Sequence, residues 1–136
     1  MLVGDDDLLD VLCLPGRAEA ETAIAELLSE GRLSFVLVVV AKHVHSVYET
    51  QGFAEGDALL EAVVRRLTEP PLCAPRIFRW SATSFVVLSH SLQTVTDCSG
   101  IEGASCALFA AWPNNAPRGL FDRIDNHIAT HLAYAA

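Results

Sequence analysis

A chain of 136 residues, 51% of them hydrophobic, is long enough to bury one real core and too short for two ordinary domains, so residues 1–136 are expected to form a single domain. Its formal net charge of −8 opposes the attraction to phosphate on which nucleic-acid binding depends, which excludes DNA and RNA as partners. The longest apolar run, FVLVVVA at 35–41, is less than half of the roughly 20 residues a membrane span needs, and MLVGDDDLLD has no basic region before an apolar stretch. A soluble, cytoplasmic protein is expected.

Asp5, Asp6, Asp7 and Asp10 crowd residues 1–10, where they either favour a helix start or form a solvated, flexible segment. Cys13, Cys73, Cys98 and Cys106 show no CxxC spacing and read as buried free thiols. From Arg17 to Glu30, Ala20, Ile24, Leu27 and Leu28 recur at helical steps, and Gly31 closes the segment. LSFVLVVVA follows, a β-branched run without alternation that predicts a central strand covered on both faces.

HVHSVYETQGF predicts a short helix ending near Gly52. EGDALLEAVVRRLTE predicts a longer one buried along Leu59, Leu60, Val63, Val64 and Leu67, and PPLCAP stops it. RIFRW and SFVVLS predict a hairpin, ASCALFAAW another strand, and PRGLFDRIDNHIATHLAYA a last helix with Leu120, Ile124, Ile128 and Leu132 on one side.

Three blocks then carry a family likeness. LPGR at 14–17 is similar to LPNR, GFAEGDALLEAVVRRL at 52–67 to GHxxGDxxLxxVAxxL, and RWSATSFVVL at 79–88 to RYGGDEFxxL. With the spacing between them, the chain resembles the GGDEF family, whose diguanylate cyclase domains condense two GTP molecules into cyclic di-GMP. The resemblance implies an α/β (α+β) fold, ferredoxin-like and related to nucleotidyl cyclase palm domains, with an antiparallel sheet and flanking helices.

Joining a ribose 3′ hydroxyl to an α-phosphate requires divalent metal held by oxygen ligands, chiefly carboxylates. By the resemblance, the first metal-binding Asp falls on Val40 and its neighbour on Lys42, while the two acids of the signature turn fall on Thr83 and Ser84. The turn's glycines become Ser81 and Ala82, whose β-carbons restrict close approach to phosphate. Val44 and His45 replace a Phe-Lys pair, Tyr48 a guanine-reading Asn, Phe53 the His of the GH pair, and Leu132 a phosphate-contacting Lys. The product-inhibition motif RxxD would run from Leu72 to Pro75 and is absent.

What remains is Asp57, aligned with a guanine-binding Asp, together with Gly52, Gly56, Arg79 and Phe85. Phe85 reads as core and Arg79 as a hairpin or sheet-edge contact. Asp57 has two readings, a vestigial guanine ligand or a first-turn acid favoured by the helix dipole. His127 and His131, four apart, read as surface histidines beside the alternative of a metal pair. His43 and His45 offer weak anion contacts at most. The Ser and Thr of the turn have no evident His and acid partners for hydrolase chemistry.

Only HSLQTVTDCSGIEG at 90–103 is available for a crossover helix, and its β-branched and Gly content predicts a loop or a single turn. A crossover so short would leave part of one sheet face exposed, a surface for a homodimer or protein partner, with or without the last helix. The leading expectation is a catalytically inactive GGDEF-like domain used for interaction or regulation, without cofactor or resident metal. The alternatives are a non-catalytic guanine-nucleotide sensor and a residual diguanylate cyclase.

Overall fold

A computed structural model describes residues 14–70, 72–74 and 76–135, with side chains through Thr130. Asp5, Asp6, Asp7, Asp10, Cys13 and Pro75, and the side chains of His131 and Leu132, lie outside the described residues.

Helix α1 (Arg17–Ser29) begins at Gly16, whose N–H donates to Glu19 Oε2 at 3.1 Å, and stops at Glu30 before Gly31 turns the chain at φ 79°. Strand β1 (Ser34–Ala41) follows. Helix α2 (Val44–Gln51) and helix α3 (Phe53–Thr68) meet at Gly52, whose φ of 95° suits glycine and sets the bend between them. Strands β2 (Ile77–Ser81) and β3 (Ser84–Ser89) make the hairpin, helix α4 (Leu92–Cys98) crosses back, and strand β4 (Ala104–Ala111) and helix α5 (Pro117–Ala135) complete the order.

The four strands pair antiparallel in the order β2-β3-β1-β4, giving an α+β architecture with helices on both sheet faces. Because β1 is central, alternate side chains enter different layers. Val36, Val38 and Val40 pack with α1 and α5 residues such as Ile24 and Ile124; Leu37 and Val39 pack with Leu60, Val64, Phe85 and Val95. The unbroken β-branched run is thus buried on both sides.

Three expectations need correction. Leu59 is 36% exposed, and the α3 stripe is Gly56, Leu60, Val63, Val64 and Leu67, with a glycine where Tyr48 crosses it. Segment 90–103 is more than a loop or one turn: α4 spans seven residues, opened by Ser91 Oγ accepting from Thr94 N at 3.2 Å. Val95 and Cys98 are fully buried on it, and this burial against β1 and β3 outweighs weak helix propensity. The sheet face there is therefore covered, and exposure is displaced to β4, where Leu108 is 43% exposed. Finally, Cys73 is exposed in the turn after α3 and Cys106 only half-buried, whereas Cys98 is buried. Burial raises the Cys98 thiol pKa and pushes Cys106 up to about 11, so both are protonated and unreactive at neutral pH.

One polar tie joins three elements. Arg17 clamps Asp125 with two hydrogen bonds (2.8 and 2.7 Å), Trp80 Nε1 donates to the same carboxylate at 2.8 Å, and the Arg17 guanidinium carbon sits 4.3 Å from the Trp80 ring centre. No helix among the described residues is long and apolar enough to cross a membrane.

Candidate functional site

The tip of the β2–β3 hairpin satisfies its polar groups internally. Ser81 and Ser84 hydroxyls hydrogen-bond to each other, Thr83 N–H leans on Ser81 Oγ at 3.4 Å, and Thr83 C=O accepts from Ala41 N at 2.9 Å. Arg79 reaches back along the hairpin, donating from Nη2 to Ala82 C=O at 2.9 Å and from Nε to Ser81 C=O at 3.4 Å. Its backbone N–H meets Pro15 C=O at 2.8 Å, which fixes LPGR beside β2.

Beneath the tip, Val40 pairs with Ser84 across the strands, and both are fully buried. Phe85, also fully buried, faces the α3 and α4 layer. Only Ala82 is exposed at the turn; Ser81 and Thr83 are half-buried. The Val40 side chain supplies no oxygen, the Ser84 hydroxyl is already engaged, and Thr83 brings a neutral hydroxyl, so this set has no carboxylate for a hard divalent cation and does not fit one. Among the described residues no group of three or more His, Cys, Asp or Glu is arranged to hold a metal.

Tyr48 and Asp57 lie on different helices, and the bend at Gly52 brings them together. Tyr48 OH donates to Asp57 Oδ1 at 2.8 Å. The Tyr48 ring packs against Gly56, so close that a β-carbon there would sit 2.2 Å from Cδ1, and it meets the Phe53 ring at 5.5 Å between ring centres. Phe53 itself is 79% exposed. Burial first, then the Asp57 hydrogen bond and charge, push the Tyr48 phenol up to about 12 against a small opposing pull from Arg79. A Gly56→Ala variant is expected to expel the ring and break the Tyr48–Asp57 bond, returning the Tyr48 phenol toward 10. Ultraviolet titration of phenolate, referenced to Tyr48→Phe, reads this; an unmoved titration contradicts the packing.

The other singled-out residues are dispersed. His43 is exposed with φ 65° at the start of α2, and His45 sits 3.0 Å from Glu49 on the solvent side. Lys42 is exposed and Val44 buried. Leu72 packs partly buried against the α3 layer. His127 turns toward the sheet, its ring edge-on to Phe109 at 6.2 Å.

The structure also assembles a line of residues that sequence reading passed over. Ser34 Oγ lies 2.9 Å from His90 Nδ1, and His90 Nε2 lies 3.0 Å from Glu30 Oε2. The order resembles a serine-hydrolase relay, but Ser34 is fully buried and Glu30 is the solvent end, so no substrate reaches the hydroxyl. The line ties α1 to β1 and β3. An open groove of about 410 Å³ between α1 and the start of β2, lined by Glu19, Glu26, Arg76 and Phe78, shares no residue with the turn or with the Tyr48–Asp57 pair.

No protein-family model matches the chain, and no curated protein matches it. Solved structures do. Vibrio cholerae LapD, an S helix-GGDEF-EAL chain bound to c-di-GMP, superposes with a TM-score of 0.69 at 20% identity, over 88% of this chain and 32% of that one. The GGDEF domain of DgcB from Caulobacter crescentus, in complex with c-di-GMP, matches at TM-score 0.62 and 15% identity over 83% of this chain and 80% of its own. This chain has a GGDEF-like fold. Diguanylate cyclase SiaD from Pseudomonas aeruginosa, in complex with its activator SiaC, matches at TM-score 0.60 and 17% identity, over 83% of this chain and 53% of that chain. The GGDEF-like chain thus spans about a third of the LapD chain and half of the SiaD chain.

Proposed function

We propose that this GGDEF-like chain is a catalytically silent module that serves protein interaction or regulation in cyclic di-GMP signalling. The observation that carries the proposal is the buried Val40–Ser84 pair under the Ser81–Thr83 turn: where the resemblance puts metal-binding acids, the chain has a core valine, the neutral hydroxyl of Thr83 and a Ser84 hydroxyl engaged with Ser81. Two GTP molecules bring several negative charges each, and a carboxylate-held metal is what would neutralise them and acidify a ribose hydroxyl. The signalling context rests on similar structures that carry c-di-GMP, and the interaction role on one bound to its activator protein.

The alternative of a non-catalytic guanine-nucleotide sensor centres on Asp57 with Gly52 and Gly56. Tyr48 stands against it, because its hydroxyl takes an Asp57 oxygen and its ring covers Gly56. Calorimetric titration with GTP and with cyclic di-GMP, Mg²⁺ present, separates the readings. The silent module gives no saturable heat with GTP; a sensor gives binding that Asp57→Ala abolishes.

A further inference from the structure

The β4 edge of the sheet carries an inference that does not depend on the nucleotide site. Among the described residues β4 pairs with β1 alone. Its outward groups can be assigned from two hydrogen bonds. Lys42 N donates to Gly103 C=O at 2.8 Å, and the register from Ala41↔Ala104 to Ser34↔Ala111 is unbroken, so even-numbered β1 residues exchange bonds with odd-numbered β4 residues. Ala41 N donating to Thr83 C=O on the other flank gives the same alternation. Ala104, Cys106, Leu108 and Ala110 therefore direct their N–H and C=O groups away from β1.

Edge strands are normally guarded by charge, proline, a bulge or shortness. Gly103–Trp112, GASCALFAAW, contains no charged residue and no proline, and β4 runs eight residues without a register shift. Leu108 and Trp112 are 43% and 56% exposed along it.

We infer that β4 is the interface of a two-fold homodimer, in which a second copy of this chain adds its own β4 antiparallel to make one continuous sheet. The composition of the strand suits a second copy: a net charge of −8 makes two copies repel over most approaches, and an uncharged strand of small residues is the surface on which that repulsion is least. The strand is also self-complementary. Centring the axis on Ala107 pairs Cys106 with Leu108 of the second copy and Ala104 with Ala110 of the second copy, engaging all four outward residues of each strand in about eight backbone hydrogen bonds. A shift of the axis by one residue leaves outward groups without partners. Each exposed Leu108 side chain then lies over the half-buried Cys106 of the other copy.

The register makes a sharp test. Ala107 faces itself across the axis as a non-hydrogen-bonded pair, with Cα atoms about 4.5 Å apart, within the range a disulfide spans. The whole chain should sediment as a dimer at micromolar concentration. In a background with Cys13 and Cys73 replaced by serine, Ala107→Cys should form a covalent dimer on mild oxidation, which neither that background alone nor its Ala110→Cys variant forms. Leu108→Lys, at an exposed position, should keep the far-ultraviolet circular dichroism and raise the dimer dissociation constant by about tenfold or more. A monomer at roughly 100 times that concentration, a dimer indifferent to Leu108→Lys, or a dimer that the Ala107→Cys variant fails to lock overturns the inference. Nucleotide binding has no part in these readouts, so the result stands apart from the proposed function.

Discussion

Replacing Phe85 with alanine is expected to lower the free energy of unfolding by about 3–5 kcal/mol, the largest effect of any single truncation near the hairpin. The ring is fully buried and packs among Leu37, Val39, Leu60, Val87 and Val95, so its removal loses both transfer free energy and contacts that cannot close over the gap. Phe85 itself is paired with Val39 on one side and Arg79 on the other, so the backbone at this position is held by both strands, which limits collapse into the cavity. Domains of this size are stable by about 5–15 kcal/mol, so the loss is a large fraction of the total. Urea unfolding reads it as a lower midpoint at unchanged slope. Phe85→Leu should lose much less, about 1.5 kcal/mol or below. An alanine variant within about 1 kcal/mol of the parent would mean the hairpin is not anchored through this residue.

The second large effect is expected at Asp125. Its carboxylate receives both arms of Arg17 and the Trp80 indole N–H, and Trp80 is only 3% exposed, so Asp125→Ala leaves a buried donor without an acceptor. The loss is expected at about 1–3 kcal/mol, toward the lower end because the Arg17 and Asp125 side chains are 42% and 39% exposed and solvent screens the ion pair. Burial works to raise the Asp125 pKa, but the hydrogen bonds from Arg17 and Trp80 and the Arg17 charge outweigh it and hold the carboxyl below its ordinary value of 3.8. A depressed folded pKa stabilises the fold above the unfolded value, and this contribution fades as pH falls through the lower folded one. Parent and variant should therefore differ most at neutral pH and converge in acid below 3.8, as urea midpoints at a series of pH values can show. A constant difference across that range would place the effect in packing rather than in the carboxylate.

Burial periodicity made most of the elements legible. The β1 run could only be a strand covered on both faces, and Leu120, Ile124 and Ile128 mark the inner side of α5. Two failures have the same origin. Leu59 follows helical spacing as well as its neighbours do, but the buried arc of α3 is set by what lies across it, and Tyr48 over Gly56 shifts that arc off Leu59. For α4, propensity argued against a helix while the Ser91 cap and the burial of Val95 and Cys98 decided for one.

At the candidate site the residue types were legible and their contacts were not. Tyr48 and Asp57 are nine positions apart on separate helices, and only the φ of Gly52 brings the hydroxyl to the carboxylate. Ser34 and His90 are 56 positions apart, and the Arg17 to Asp125 clamp spans 108. Strand register and helix docking create those pairs, and no local pattern announces them.

The most direct test of the central claim is incubation of the purified chain with GTP and either Mg²⁺ or Mn²⁺, with the product resolved by chromatography and mass. A buried Val40–Ser84 pair and a hydroxyl-lined turn predict no cyclic di-GMP above the enzyme-free control, under conditions where an active cyclase converts its substrate readily. Cyclic di-GMP accumulating in proportion to the protein added would contradict the account and would require ligands for the metal from elsewhere in the chain.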